Sequence, residues 1–151
     1  MSLPISTKPH STAPFPTIAA LLMAAGVACG AFGAHALKDL VSPTDLAIWE
    51  KAVLYHLIHA SAILVVAALP GLSYGSRRRI SLILTISILI FSGTLYALVL
   101  SNQRWLGAIT PIGGSGFILA WILLSLELMQ TSRRDREVSG KEEVHSSPSR
   151  S

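Results

Sequence analysis

Three of the five histidines stand where an imidazole could do chemistry. His35 closes one long apolar run, and His56 and His59 lie three residues apart in a second. On a helix that spacing sets the two rings about 60° apart, on one face, where Trp49, Ala52 and Ala60 also fall. Ser92, Tyr96 and Thr110 add hydroxyls from two further apolar runs. Imidazole titrates near neutrality, ligates metals and hydrogen-bonds through both nitrogens. Four kinds of chemistry are therefore open: a structural hydrogen-bond network, a proton or small-solute pathway, a metal or haem site, and acid–base catalysis. Catalysis would pair a histidine with Glu50, yet Glu50 falls on roughly the opposite helix face from His59. No carboxylate or cysteine completes a ligand set around the imidazoles. No catalytic residue, metal ligand or cofactor is therefore assigned, and the chain is not read as an enzyme.

The elements that carry these residues follow from composition. Of 151 residues, 51% are hydrophobic and 13% charged, with a formal net charge of +4 and a mean hydropathy of +0.56. A soluble domain carries about twice that charge density, which argues against a free-standing soluble enzyme or a disordered chain. The single Cys29 cannot form an intrachain disulfide and has no cysteine partners for a zinc ribbon. A basic balance with few charges points to anionic lipid rather than nucleic acid.

Four apolar runs cover residues 17–37, 47–69, 80–100 and 105–126. Each is roughly 20 residues, enough at about 1.5 Å per residue to cross a hydrocarbon core of about 30 Å. Unpaired backbone groups in lipid cost several kcal/mol, so the runs must be helical. The expected fold is all-α: a polytopic membrane protein with four transmembrane helices in a bundle over residues 17–128. A flexible proline-rich tail (1–16) precedes it and a polar, solvated tail (129–151) follows it. Near the second run, Ser42 and Pro43 read as an N-cap and first helical residue. A short amphipathic approach then leads into the membrane, with Trp49 in the interfacial aromatic belt and Lys51 snorkelling.

Nine of the twelve Lys and Arg fall on one side of this arrangement: Lys8, Arg77, Arg78, Arg79, Arg133, Arg134, Arg136, Lys141 and Arg150. Only Lys38, Lys51 and Arg104 fall on the other. That asymmetry places both termini in the cytoplasm and the protein in the cell (inner) membrane as a multi-pass protein. It sets the histidines in the outward half. The triplet Arg77–Arg79 fixes topology and suits anionic headgroups. The first run is longer than the about 7–15 apolar residues of a cleaved signal. Val27-Ala28-Cys29 resembles a lipoprotein box only in part, since Gly26 stands where Leu is usual, so Cys29 reads as a small packing residue.

Gly26, Gly30 and Ala34 recur every four residues, with Gly33 beside them, and Gly113, Gly114 and Gly116 follow Pro111. Small residues so spaced let helix backbones approach closely, within the chain or across a homodimer seam. Pro111 is expected to kink the fourth helix. Gly114-Ser115-Gly116 lacks the third glycine of a nucleotide loop.

The segment Gly30-Ala-Phe-Gly-Ala-His35-Ala-Leu37 closely resembles the GAFGAHGL signature of the domain of unknown function 423 family, which is related to transmembrane protein 256 of animals. The resemblance continues through Trp49-Glu-Lys-Ala-Val-Leu-Tyr-His56-Leu-Ile-His59-Ala60, Phe91-Ser-Gly-Thr-Leu-Tyr96, Trp105-Leu-Gly-Ala-Ile-Thr-Pro111-Ile-Gly-Gly114 and Ala120-Trp121. It covers roughly residues 18–126 and implies a four-helix integral membrane protein with no assigned activity, catalytic residue or binding residue. His35 and His59 fall on the family's histidine positions, whereas other polar residues also fill the place of His56. Leu54 stands where many members are basic, which weakens any function needing a cation there. The proline-rich head and polar tail have no counterpart.

The expected function is that of an uncharacterised membrane protein, a structural or assembly component with an outward-facing network of His35, His56, His59, Tyr96 and Thr110. A minimal small-solute or proton transporter is the alternative, and a metal- or haem-binding protein the second. The expected partners are the lipid bilayer and either a second copy of the chain or another membrane protein.

Overall fold

The computed structural model describes residues 14–146. Helix α1 spans Phe15–Phe32 and ends in a π-helical turn, Gly33–Leu37. Helix α2 spans Pro43–Ala68, α3 spans Tyr74–Ser101, and α4 spans Thr110–Ser146 after a 3-10 turn, Arg104–Ala108. Among the described residues there is no strand, and all four helices are long and apolar enough to cross a membrane. The fold is all-α, as expected.

Local chemistry accounts for the helix ends. The Ser42 hydroxyl accepts the backbone N–H of Asp45 at 3.1 Å, and Pro43 takes the first helical position. The amphipathic approach and the second span are therefore one uninterrupted helix. Ser73 caps α3 in the same way through the N–H of Ser76, which draws Arg77, Arg78 and Arg79 into the helix. Helix α1 begins two residues before the expected start, because Pro14 and Pro16 flank its first turn, where the missing N–H costs nothing. The remainder of the proline-rich tail, residues 1–13, lies outside the described residues.

One expectation is corrected at α4. Pro111 is its second residue, so it opens the helix after the 3-10 turn and bends nothing. Its absent N–H is one of the first-turn donors that no helix satisfies internally. The polar stretch after residue 128 continues the same helix to Ser146, since Glu, Arg and Lys propagate a helix well. Residues 147–151 lie outside the described part.

The helices pack antiparallel in chain order, α1 on α2, α2 on α3 and α3 on α4. One core joins Ala19, Ala60, Ile63 and Val66 to Ile80, Leu84, Ile88, Phe117 and Ala120. A smaller one gathers Leu37, Trp49, Leu98 and Val99 at the opposite end. Leu21, Val27, Leu89, Ile112 and Ile118 are exposed, and in a membrane protein such faces meet acyl chains.

Each end of the bundle has its own closure. At the end holding the first residues of α1, Gly71 turns the 69–73 connection with φ +78°, and a Cβ there would lie 2.4 Å from Thr131 Cγ2. Arg77 Nη2 donates to the Leu69 carbonyl at 2.6 Å, and Arg79 pairs with Glu127 at 3.1 Å. Two of the three arginines read as headgroup ligands thus have partners inside the protein. At the other end Arg104 binds Asp45 through both Nη atoms, the second at 3.0 Å to Oδ2.

Candidate functional site

Helix α2 is the hub. Trp49, Ala52, His56, His59, Ala60 and Ile63 form its buried face, while Glu50 and Lys51 point away, exposed. The face inferred from histidine spacing is the one the neighbours cover.

Trp49 corrects the sequence reading. It is not an interfacial residue but 3% exposed. Its Nε1 donates to the Cys29 carbonyl on α1 at 2.8 Å, and its ring meets Phe32 at 5.6 Å and Tyr96 at 4.6 Å. Its place on the histidine face, legible from the spacing, outweighs the interfacial preference of its indole.

His56 and Tyr96 meet across α2 and α3, with Nδ1 and the phenol oxygen 3.3 Å apart. Cys29 of α1 and Tyr96 of α3 both pack against the smaller core around Trp49. The Nε2 of His56 is buried and makes no hydrogen bond of ordinary geometry, although the Leu22 carbonyl of α1 lies near the ring. His59 turns elsewhere. Its Nδ1 meets the Tyr55 carbonyl of its own helix at 2.8 Å, and its ring stacks on Phe117 of α4 with centroids 3.5 Å apart. Thr110 bonds Thr94 at 3.0 Å, tying α4 to α3. Ser92 donates to the Ala52 carbonyl at 2.9 Å, tying α3 to α2. His35 is exposed in the π-helical turn. The candidate residues therefore form separate pairs, not one network: His56 with Tyr96, Thr110 with Thr94, His59 against Phe117, and His35 apart.

The pairs sit where helices come close. A Cβ on Gly26 would lie 2.7 Å from Leu57 Cδ2, on Gly33 2.6 Å from Trp49 Cδ1, and on Gly30 3.4 Å from Val53 Cγ1. On α4, a Cβ on Gly113 would lie 2.5 Å from the Phe91 backbone nitrogen, and Gly114 faces the Phe91 ring at 3.7 Å. All five glycines face a neighbouring helix of the same chain.

This arrangement can hold helices together by hydrogen bonds and ring stacking. Among the described residues no three His, Cys, Asp or Glu side chains converge as a metal site would need. Removing the phenol oxygen isolates one link. Tyr96→Phe keeps the ring against Trp49 and is expected to lower stability in detergent by about 1 kcal/mol, the usual net worth of one hydrogen bond, measured as a shift of the unfolding midpoint.

A family model described as "Protein of unknown function (DUF423)" matches residues 29–114. A UPF0382 membrane protein of Staphylococcus epidermidis is 40% identical over 116 residues, covering 77% of this chain and 95% of that protein. The UPF0382 membrane protein YwdK of Bacillus subtilis is 40% identical over 105 residues, 68% of this chain and 84% of that one. No solved structure matches.

Proposed function

This chain belongs to the DUF423 family of membrane proteins, and from that premise we propose that it is a structural or assembly component of the membrane, acting through association with a second copy or another membrane protein. One observation carries the reading: several buried polar side chains of the bundle bond one another or backbone carbonyls, although His56 Nε2 and Ser81 Oγ do not. Ser92, Thr94, Thr110 and Tyr96 each bridge helices or bond within one, which is how a protein in lipid fastens its helices. Extraction in a mild detergent is expected to yield a complex larger than the 16.1 kDa chain, either a homo-oligomer or a stoichiometric complex with one membrane protein. A strictly monomeric particle with nothing co-purifying would overturn the reading.

The same proposal sets the chain in the cell (inner) membrane with both termini cytoplasmic. Arg77, Arg78 and Arg79 at the start of α3 and Arg133, Arg134 and Arg136 late in α4 belong to one end of the bundle, and Lys38, Lys51 and Arg104 to the other. Basic residues favour the cytoplasmic side. Reporter fusions at either terminus are expected to read cytoplasmic and an insertion in the 38–42 connection external; the reverse pattern sinks the orientation.

A second reading, proton movement through the bundle, draws on the unpartnered Nε2 of His56. An unsatisfied buried nitrogen in a membrane helix is a common mark of proton handling. It requires pH-driven flux in liposomes that His56→Ala abolishes and His59→Ala spares. Flux equal to that of empty liposomes removes it.

A further inference from the structure

The end of the bundle away from Arg77–Arg79 holds a cleft of about 460 Å³, within the range of small-ligand sites. Leu37, Leu40, Val99 and Leu100 line it together with Ser42 and Asn102, and the Asp45–Arg104 ion pair closes one side. The two charges are unequally presented. The Asp45 side chain is 13% exposed and receives hydrogen bonds from the Ser42 hydroxyl and both Nη atoms of Arg104. The Arg104 side chain is 56% exposed. A guanidinium carries five N–H donors in a rigid fork, so Asp45 engages part of the fork, holds it in place and leaves the remaining donors facing outward. The surface offered to a ligand is therefore a set of guanidinium donors beside a wall that mixes leucine and valine side chains with Ser42 and Asn102. Leu40 and Trp105, both strongly exposed, lie by this end, at the level where apolar side chains and indoles meet headgroups.

We infer that this cleft binds a glycerophospholipid, with the phosphate on the outward donors of Arg104 and the glycerol and first methylenes against Leu37, Leu40, Val99 and Leu100. A phosphodiester matches the planar fork with two acceptor oxygens, and an amphiphile also uses the exposed Leu40 and Leu100 side chains of the wall. Asp45 is the positioning residue: it holds Arg104 and also lines the cleft, so the phosphate sits on the guanidinium edge away from its carboxylate. The site is independent of the association proposed above, because nothing in it requires a second protein.

Native mass spectrometry of the full chain, purified in detergent doped with phosphatidylglycerol, tests this. The parent protein is expected to retain one phospholipid through washing that strips the rest. Arg104→Gln is expected to weaken that retention about tenfold, the loss of a charge-assisted pair of hydrogen bonds, and Arg104→Lys less, since charge survives without the fork. Arg79→Gln, at an exposed ion pair on the opposite end, is expected to leave retention unchanged. Should Arg104→Gln fold poorly with Asp45 unpaired, the double variant Asp45→Asn/Arg104→Gln removes both charges and decides the matter. Retention unaffected by loss of Arg104, or lowered equally by Arg79→Gln, would mean that lipid merely surrounds the protein and would overturn the site. Displacement of the lipid by millimolar inorganic phosphate would reassign the donors to a free anion.

Discussion

Gly113→Leu is expected to drive α3 and α4 apart and to lower stability in detergent by about 3 kcal/mol, at the upper end of overpacking costs. An added Cβ at residue 113 would lie 2.5 Å from the Phe91 nitrogen and 2.9 Å from its Cα. A flexible side chain could move aside; backbone inside a helix cannot. Close approach also matters more here than in a soluble core, because lipid offers helices no hydrophobic gain on association and leaves packing and hydrogen bonds to hold them. The Thr94–Thr110 bond, one turn away at 3.0 Å, would lengthen with the same displacement. Gly93 supplies the control. It lies in α3, yet a Cβ on it meets nothing within 4 Å, so Gly93→Ala is expected to be neutral or stabilising by up to about 1 kcal/mol through helix propensity. Unfolding titrations of both variants against the parent check the pair. Equal midpoints would mean that α3 and α4 do not meet at Phe91.

The second large effect belongs to Trp49. Trp49→Ala is expected to cost about 3 kcal/mol, the low end of the range for deleting a large buried aromatic, because the transfer part of that range shrinks when the surroundings are lipid. The indole fills the space between α1, α2 and α3, against Gly33, Phe32 and Tyr96. Its removal would leave a void that the glycine opposite cannot fill. Trp49→Phe keeps most of the ring and loses the N–H that reaches the Cys29 carbonyl, so about 1 kcal/mol is expected for it. A Trp49→Ala variant as stable as the parent would return Trp49 to the membrane surface.

These two positions show how much the amino-acid order discloses. Four spans could be read because length and hydropathy are local properties, and bilayer thickness permits few alternatives. The buried face of α2 could be read because His56, His59, Ala52 and Ala60 recur at helical spacing. Pairing between helices was another matter. The Asp45–Arg104 bridge joins residues far apart in the chain, and neither residue carries a periodic signal. Arg79 had the same mark as Arg78 in the sequence, yet Glu127, at the edge of the fourth run, claims it. The histidines looked like a single group because all lie in one half of the membrane by charge asymmetry. Helix rotation, which hydropathy does not specify when spans are apolar on nearly every side, turns His59 to Phe117 and His56 to Tyr96. The end of α4 was obscured for the opposite reason: polarity signals departure from the membrane, not departure from helix, and the helix runs to Ser146, 12 residues past the apolar span that ends at Arg134.

Packing in chain order has a consequence for biogenesis. Each helix after the first packs against the one synthesised just before it, so a nascent chain leaving the translocon need not wait for a distant part of its own sequence to close a contact. The first hairpin can seat Trp49 against Gly33 while the second is still on the ribosome, and the Ser92 bond then recruits α3 to a finished surface. The last event is the latch of α4, when Glu127 and Thr131 arrive at Arg79 and Gly71 beside the turn that opened the second half of the molecule.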